Sequence, residues 1–313
     1  MTEKCLITNM QRFSTNDGPG IRTLVIGVGC NLKCKWCHNP ETIPMHNTIF
    51  WKSALCVQCG LCLESCPEEA IRPPIPVEEA IAEGSTYHKI DRSKCTDCMK
   101  CVEACDFDAL VPVAKMLTVD DVLDEVMRDE LFYKNSGGGM TLGGGEPTVH
   151  PKFMLELLQK AREKGIHICL DTNGTAPWKV YEQTLPFVDF YLVDMKNMDT
   201  ELHKLGTGAG NEKILENIKK LSEAGAKIII RVPVMYDYND TAENFEQMGE
   251  FLKGLPNPVH RLDLLPFHNW CQNKYNWMGI YWPLIEEENM DPIECEDFKE
   301  ILETYGINCT IGG

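Results

Sequence analysis

The stretch Cys30-Asn31-Leu32-Lys33-Cys34-Lys35-Trp36-Cys37 decides how the rest of this chain is read. Its C-x3-C-x2-C spacing offers three thiolates to a cubane iron–sulfur cluster, whereas closed electron-transfer clusters take four. The fourth iron is then left without a protein ligand and is free to bind a reactant. A structural zinc site fits less well, because it asks for four ligands in paired spacing.

Working outward, Ile21 to Val28 is apolar and β-branched, the pattern of a buried strand that delivers the chain to Cys30. After an interruption to about Val111, a regular alternation follows. Thr118 has the chemistry of an N-cap for an amphipathic helix with Val119, Val122, Leu123 and Val126 on one face. Strands are expected at Met140 to Leu142, Ile166 to Leu170, Val188 to Val193, Lys227 to Val232 and His260 to Leu265. Helices are expected near 152–164, 212–224, 241–255 and 294–305, with Gly165 and Gly225 stopping the first two. Six strand–helix units in series predict an α/β fold whose parallel sheet curls into an open, partial (β/α)6 barrel. The polar and glycine-rich positions, from Cys30 through Gly144, Asp171, Asp194 and Lys196 to His268, fall at or just past strand C-termini. In parallel α/β folds that rim binds ligands.

Residues 44–111 do not continue the alternation, so they are expected to form an insert that leaves 1–43 and 112–313 as one discontinuous domain. They contain a repeat: Cys56, Cys59, Cys62 and Cys66, followed by Pro67, are answered 39 residues later by Cys95, Cys98, Cys101 and Cys105. Both runs have the spacing of two-cluster ferredoxins, in which the fourth cysteine of each run ligates the other cluster. By that rule one cluster takes Cys56, Cys59, Cys62 and Cys105, the other takes Cys95, Cys98, Cys101 and Cys66, and the chain would carry three 4Fe-4S clusters in all. Asp106 stands where proline is usual, which bears on loop geometry and not on ligand count. Pro73-Pro74-Ile75-Pro76 opens a polar linker between the halves. Closed clusters beside an open one suit a relay of single low-potential electrons.

The 313 residues carry a formal charge of −17 and 16 cysteines. Nucleic acid and anionic membranes attract basic proteins, so neither is an expected partner. With no apolar leader after Met1 and no run long enough to span a bilayer, the chain is expected in the reducing cytoplasm. Cys5, Cys169, Cys271, Cys295 and Cys309 lie outside the three motifs and are read as ordinary core or surface residues.

The run Asp17-Gly18-Pro19-Gly20-Ile21-Arg22 precedes the three cysteines, and Cys37-His38-Asn39-Pro40-Glu41 closes them. With these flanks the sequence resembles the radical S-adenosylmethionine (SAM) superfamily and, within it, the activating enzymes of glycyl radical enzymes, more closely the insert-bearing members than the pyruvate formate-lyase type. The resemblance covers essentially the whole chain. It implies an anaerobic activase that cleaves SAM reductively and removes hydrogen from a glycine Cα of a partner glycyl radical enzyme. A low-potential donor such as flavodoxin or ferredoxin would reduce it, and the free chain would be a monomer. Glycerol dehydratase, choline trimethylamine-lyase, hydroxyproline dehydratase and arylacetate decarboxylases are all open as partners.

The resemblance also implies residue roles. Gly144, Gly145 and Glu146 would hold the cofactor's amino group, and Trp36, Cys37 and His38 would form the turn facing its adenine. Asp171, Thr172 and Asp194 would bind a monovalent cation (Na+ or K+), with Met195 among the cofactor contacts and Lys196 facing the methionine carboxylate. Asp17 would help place the partner's glycine loop, or is a turn residue before Gly18-Pro19. Arg231, costly if unpaired in an apolar strand, meets either the cofactor carboxylate or a structural acid. His268 lies near the adenosyl group or is a hydrogen-bonded rim residue. Trp270, Tyr275, Trp277, Tyr281 and Trp282 form part of a partner surface or pack under a loop. Two rival readings remain. A radical SAM enzyme acting directly on a small molecule or peptide has Asp17 and Asp194-Met195-Lys196 against it, and a pure electron-transfer module leaves the strand–helix units unexplained.

Overall fold

The computed structural model describes residues 2–76, 79 and 89–312, so most of the linker that begins at Pro73 lies outside the described residues. In chain order the strands are β1 (Lys4–Ser14), β2 (Arg22–Gly27), β3 (Ile49–Trp51), β4 (Leu110–Pro112) and β5 (Lys115–Thr118). They are followed by β6 (Gly139–Gly144), β7 (His167–Thr172), β8 (Phe190–Asp194), β9 (Ile228–Val234), β10 (Arg261–Pro266) and β11 (Cys309–Ile311).

Among the described residues, the main sheet has nine strands in the order β5-β1-β2-β6-β7-β8-β9-β10-β11. From β2 onward every neighbouring pair is parallel. The six expected strands are β2 and β6 to β10, but the sheet is wider than six. Strands β1 and β5 extend one edge in antiparallel fashion, and β11 adds a short parallel strand at the other. Strand β1 buries Cys5 and Ile7 in alternation with more exposed residues, a signal the opening of the chain carried unread.

Thr118 caps the helix Val119–Met127 through a capping box with Asp121, and Val119, Val122, Leu123 and Val126 are all buried. Helices Pro151–Glu163, Glu212–Glu223 and Ala242–Lys253 supply buried residues to the same core as Ile168, Leu170, Tyr191, Val193, Ile230 and Leu262 of the sheet. Each such fully buried aliphatic side chain contributes about 1.5–3 kcal/mol. The expected last helix starts with a 3-10 turn, Pro292–Cys295, and continues as Glu296–Thr304.

Alternation puts a different set on the opposite face of the sheet. Cys169, Phe190, Leu192 and Ile229 form their own small cluster there, and Arg22, Thr141, Asp171, Asp194, Arg231 and Asp263 share its parity through the strand register. Residues 15–20 fold against this face. Gly18 adopts φ +117°, and a Cβ there would stand 2.8 Å from the Cys169 Sγ. Gly20 has no room for a Cβ either, which would meet the Gly138 nitrogen at 2.4 Å.

Between β2 and β5, strands β3 and β4 pair antiparallel as a separate two-stranded sheet. The apolar cluster of this region, Ile49, Trp51, Ile90, Cys101 and Leu110, is separate from the main core. The backbone repeats along with the sequence. Helices Leu61–Glu64 and Lys100–Glu103 correspond, and left-handed residues recur as Gln58 and Asp97, Gly60 and Met99, and Glu69 and Asp108.

Candidate active site

The three cysteines of the opening stretch line a cavity of about 600 Å³ at the C-terminal ends of the parallel strands. Among the described residues, no fourth cysteine lines it. The loop that carries them is fastened on several sides. Lys33 and Lys35 donate backbone N–H groups to Thr207 and Gly206 at the end of helix Thr200–Thr207 (2.8 and 3.0 Å). Cys30 N–H reaches the Ile43 carbonyl at 3.3 Å, and the Asn173 side-chain amide lies 3.8 Å from the Cys30 Sγ. Burial raises all three thiols, Cys34 to about 11, so they stay protonated until a metal takes the proton's place. Soft donors on one rigid loop fit an iron–sulfur cluster.

Across the cavity lies a chain of opposite charges. Arg231 places Nη1 3.3 Å from Asp171 Oδ2 and 3.5 Å from Asp17 Oδ1, so its strand position is compensated by structural acids. Asp17, held also by the Ser14 hydroxyl, thus reaches into the site from the loop before β2. Burial pushes the Asp171 carboxyl up to about 7, with Arg231 opposing and Asp194 and Asp17 adding to the rise. Lys196 is buried and ion-paired with Asp194. Burial works against its charge, but Asp194 and the neighbouring Cys34 outweigh it and the net shift is upward.

Glu146 does not line the cavity. Its buried carboxylate accepts from Thr148 N–H and hydroxyl (3.1 and 2.6 Å), the Thr172 hydroxyl (2.8 Å) and Asn173 N–H (2.6 Å), tying the loop after β6 to that after β7. Burial raises its pKa against these four donors. Of the side chains expected to share a cation, Asp171 meets Arg231, Asp194 meets Lys196, and Thr172 meets Glu146 and the Tyr181 hydroxyl. Met195 is buried with its N–H on the Arg231 carbonyl and does not line the cavity. Gly144 and Gly145 do line it, but a Cβ on Gly145 would meet the Gly29 carbonyl oxygen at 2.2 Å, so close backbone packing by itself demands glycine.

Trp36, Cys37 and His38 all line the cavity. The His38, His268 and Trp270 rings form a stack, with centroids 4.1 and 4.3 Å apart. His38 Nε2 and His268 Nδ1 are buried without a hydrogen-bond partner among the described residues, leaving room for a ligand's polar atoms. Burial, with His268 adding, lowers the His38 pKa to about 4, so the ring is neutral. The aromatic loop divides in two. Tyr275 and Trp282 are buried and donate to the Cys37 and Lys35 carbonyls (2.9 and 3.1 Å), whereas Trp270 and Tyr281 are exposed. Helix Gln272–Met278 also sends Lys274 to Asn39 (2.6 Å) and to the buried Glu41 (2.7 Å). Asn173, Tyr275 and Lys274 had no separate role in the sequence reading. Asn173 carried a signal as a member of the Asp171-Thr172-Asn173-Gly174 run, and Tyr275 as one of the aromatic loop residues read as packing under a loop; Lys274 carried none.

In the insert, Cys56, Cys59, Cys62 and Cys105 line one cavity, while Cys66, Cys95, Cys98 and Cys101 line another. The five cysteines outside the motifs are all buried.

The model of the Radical SAM superfamily matches residues 103–252, and that of the 4Fe-4S dicluster domain matches 55–109. The chain is 33% identical to the indoleacetate decarboxylase activating enzyme of Tractidigestivibacter scatoligenes, covering 98% of this chain and 97% of that one. It is 36% identical to the benzylsuccinate synthase activating enzyme of Thauera aromatica, over 98% and 92% of the two chains. Identity to the trans-4-hydroxy-L-proline dehydratase activating enzyme of Clostridioides difficile is 37%, over 98% and 99%.

Proposed function

We infer the reaction from the family to which this chain belongs, the activating enzymes of glycyl radical enzymes within the radical SAM superfamily. The chain is an oxidoreductase that cleaves SAM reductively and takes a hydrogen atom from a glycine Cα of a partner glycyl radical enzyme. One observation carries the reading at the site: three cysteines, not four, open on the cavity that Lys196, Arg231 and His268 also line.

A cluster held by Cys30, Cys34 and Cys37 supplies, when bound, the electron that breaks the sulfonium S–C5' bond. The rest is the work of side chains. Lys196, fixed by Asp194, offers a cation to the methionine carboxylate, and Asp171 and Asp194 offer acceptors to its ammonium group. His38 and His268 present neutral ring faces and free nitrogens to the adenosyl part. Asp17, braced by Arg231, is assigned to the partner's glycine loop. The buried clamp of Tyr275 and Trp282 keeps the cysteine loop still, so that reacting atoms meet in one geometry.

The architecture is read as a (β/α)6 partial barrel with residues 44–111 as a ferredoxin-like insert. The cavity linings support two further 4Fe-4S clusters with crossed ligands, Cys56, Cys59, Cys62 and Cys105 for one and Cys66, Cys95, Cys98 and Cys101 for the other. A low-potential protein such as flavodoxin or ferredoxin would feed them, in a chain that is cytoplasmic and monomeric when free.

The test is anaerobic: reconstituted, reduced protein is given SAM with and without candidate glycyl radical enzymes. 5'-Deoxyadenosine should form, with a glycyl radical signal on the partner. Hydrogen transfer to a free metabolite would favour the small-molecule rival, and no cleavage at all would sink both.

A further inference from the structure

The two cysteine runs of the insert share one backbone but not one electrostatic environment. At the 39-residue offset, Ser53 and Gln58 of the first copy correspond to Arg92 and Asp97 of the second. The second copy therefore holds an ion pair where the first has neutral residues.

The geometry puts that pair against a cluster ligand. Asp97 donates its N–H to the Cys95 Sγ at 3.4 Å, and its carboxylate Oδ1 lies 3.7 Å from the same sulfur. Arg92 Nη1 stands 3.8 Å from that Oδ1. The guanidinium is anchored by donating to the Met278 carbonyl (3.1 and 3.0 Å), the Thr48 hydroxyl (2.7 Å) and the Ile49 carbonyl. His46 and the Thr48 hydroxyl hold the carboxylate from the other side, each at 3.1 Å. Both charges are fixed in place and partly buried.

We propose that Arg92 and Asp97 make the two insert sites electrically unequal, Arg92 holding the potential of the Cys66, Cys95, Cys98 and Cys101 site above the value Asp97 alone would impose. The inference rests on the reading that the insert carries two clusters. Reduction adds one negative charge, which a nearby cation favours and a carboxylate opposes. Charge and hydrogen bonds at the sulfurs are the levers that set such potentials. The first copy has Ser53 and Gln58 at these positions, and among the described residues the cation lining its cavity is the buried Lys89.

The experiment is a redox titration of the full-length reconstituted chain followed by electron paramagnetic resonance, with the second site's signal identified by its loss in Cys98→Ala. Arg92→Gln should lower that midpoint, so that the reduced fraction at a fixed potential falls several-fold while the Cys59-dependent signal stays put. Arg92→Lys, which keeps the charge, should stay near the parent, and Asp97→Asn should raise the same midpoint. If Arg92→Gln costs the insert its iron, the other two variants still decide. A midpoint unmoved in Asp97→Asn, or shifts shared equally by both signals, overturns the proposal. Iron analysis separates the two ways of failing. A parent chain with only about four irons rejects the two-cluster reading, and about twelve irons with unmoved midpoints reject the tuning alone.

Discussion

Cys34→Ala is expected to remove about four irons and all SAM cleavage while sparing the insert, as iron analysis and 5'-deoxyadenosine release would report. The meeting of the three cysteines on one cavity was legible because a ligand set is written in residue type and spacing. Glu146 was not, since the run Gly143-Gly144-Gly145-Glu146 reads the same whichever way the carboxylate turns; only the positions of Thr148, Thr172 and Asn173 decide it. Glu146→Ala strands buried donors and should cost about 1–3 kcal/mol in chemical denaturation. Asp171 gives a pH signature. Its raised pKa means that the folded chain binds an extra proton between the ordinary carboxylate value, about 4, and about 7. The stability it contributes is full below that window and declines as pH rises through it. Denaturation at pH 5 and pH 8 should therefore show a smaller fall in Asp171→Asn than in the parent.

At the scale of elements, helix Gln272–Met278 links the catalytic loop, through Tyr275 and Lys274, to the insert, through Arg92 on the Met278 carbonyl and Phe50 beside Trp277. Lys274→Met leaves the buried Glu41 without its cation and should destabilise by about 1–3 kcal/mol, a value below that of a fully buried pair because Lys274 is partly exposed. Adding Glu41→Gln should restore part of the loss, a recovery a double-mutant cycle measures. The helices and parallel strands were legible because one face of each is apolar with a regular period. Strands β5 and β11 were not, being four and three residues long with mixed exposure. The helix Gln272–Met278 was hidden for another reason: its buried Tyr275 and Met278 give too little periodicity over seven residues.

For the molecule as a whole, Cys59→Ala should leave SAM binding intact and slow reduction by the biological donor. Stopped-flow reduction beside equilibrium binding checks it, and unchanged reduction would remove the relay. The gathering of motifs from β2, β6, β7, β8, β9 and β10 on one rim was legible, since in a parallel sheet chain order is spatial order. The approach of Asp17 was legible only through the family resemblance, because nothing local says that a loop at the opposite end of β2 folds inward to Arg231. The hairpin of β3 and β4 has one more implication. Ile49 faces Pro112 across a single strand spacing, about 5 Å, so the stretch between them departs and returns at neighbouring points. A segment whose two ends lie that close can be lengthened or shortened without displacing the strands that flank it.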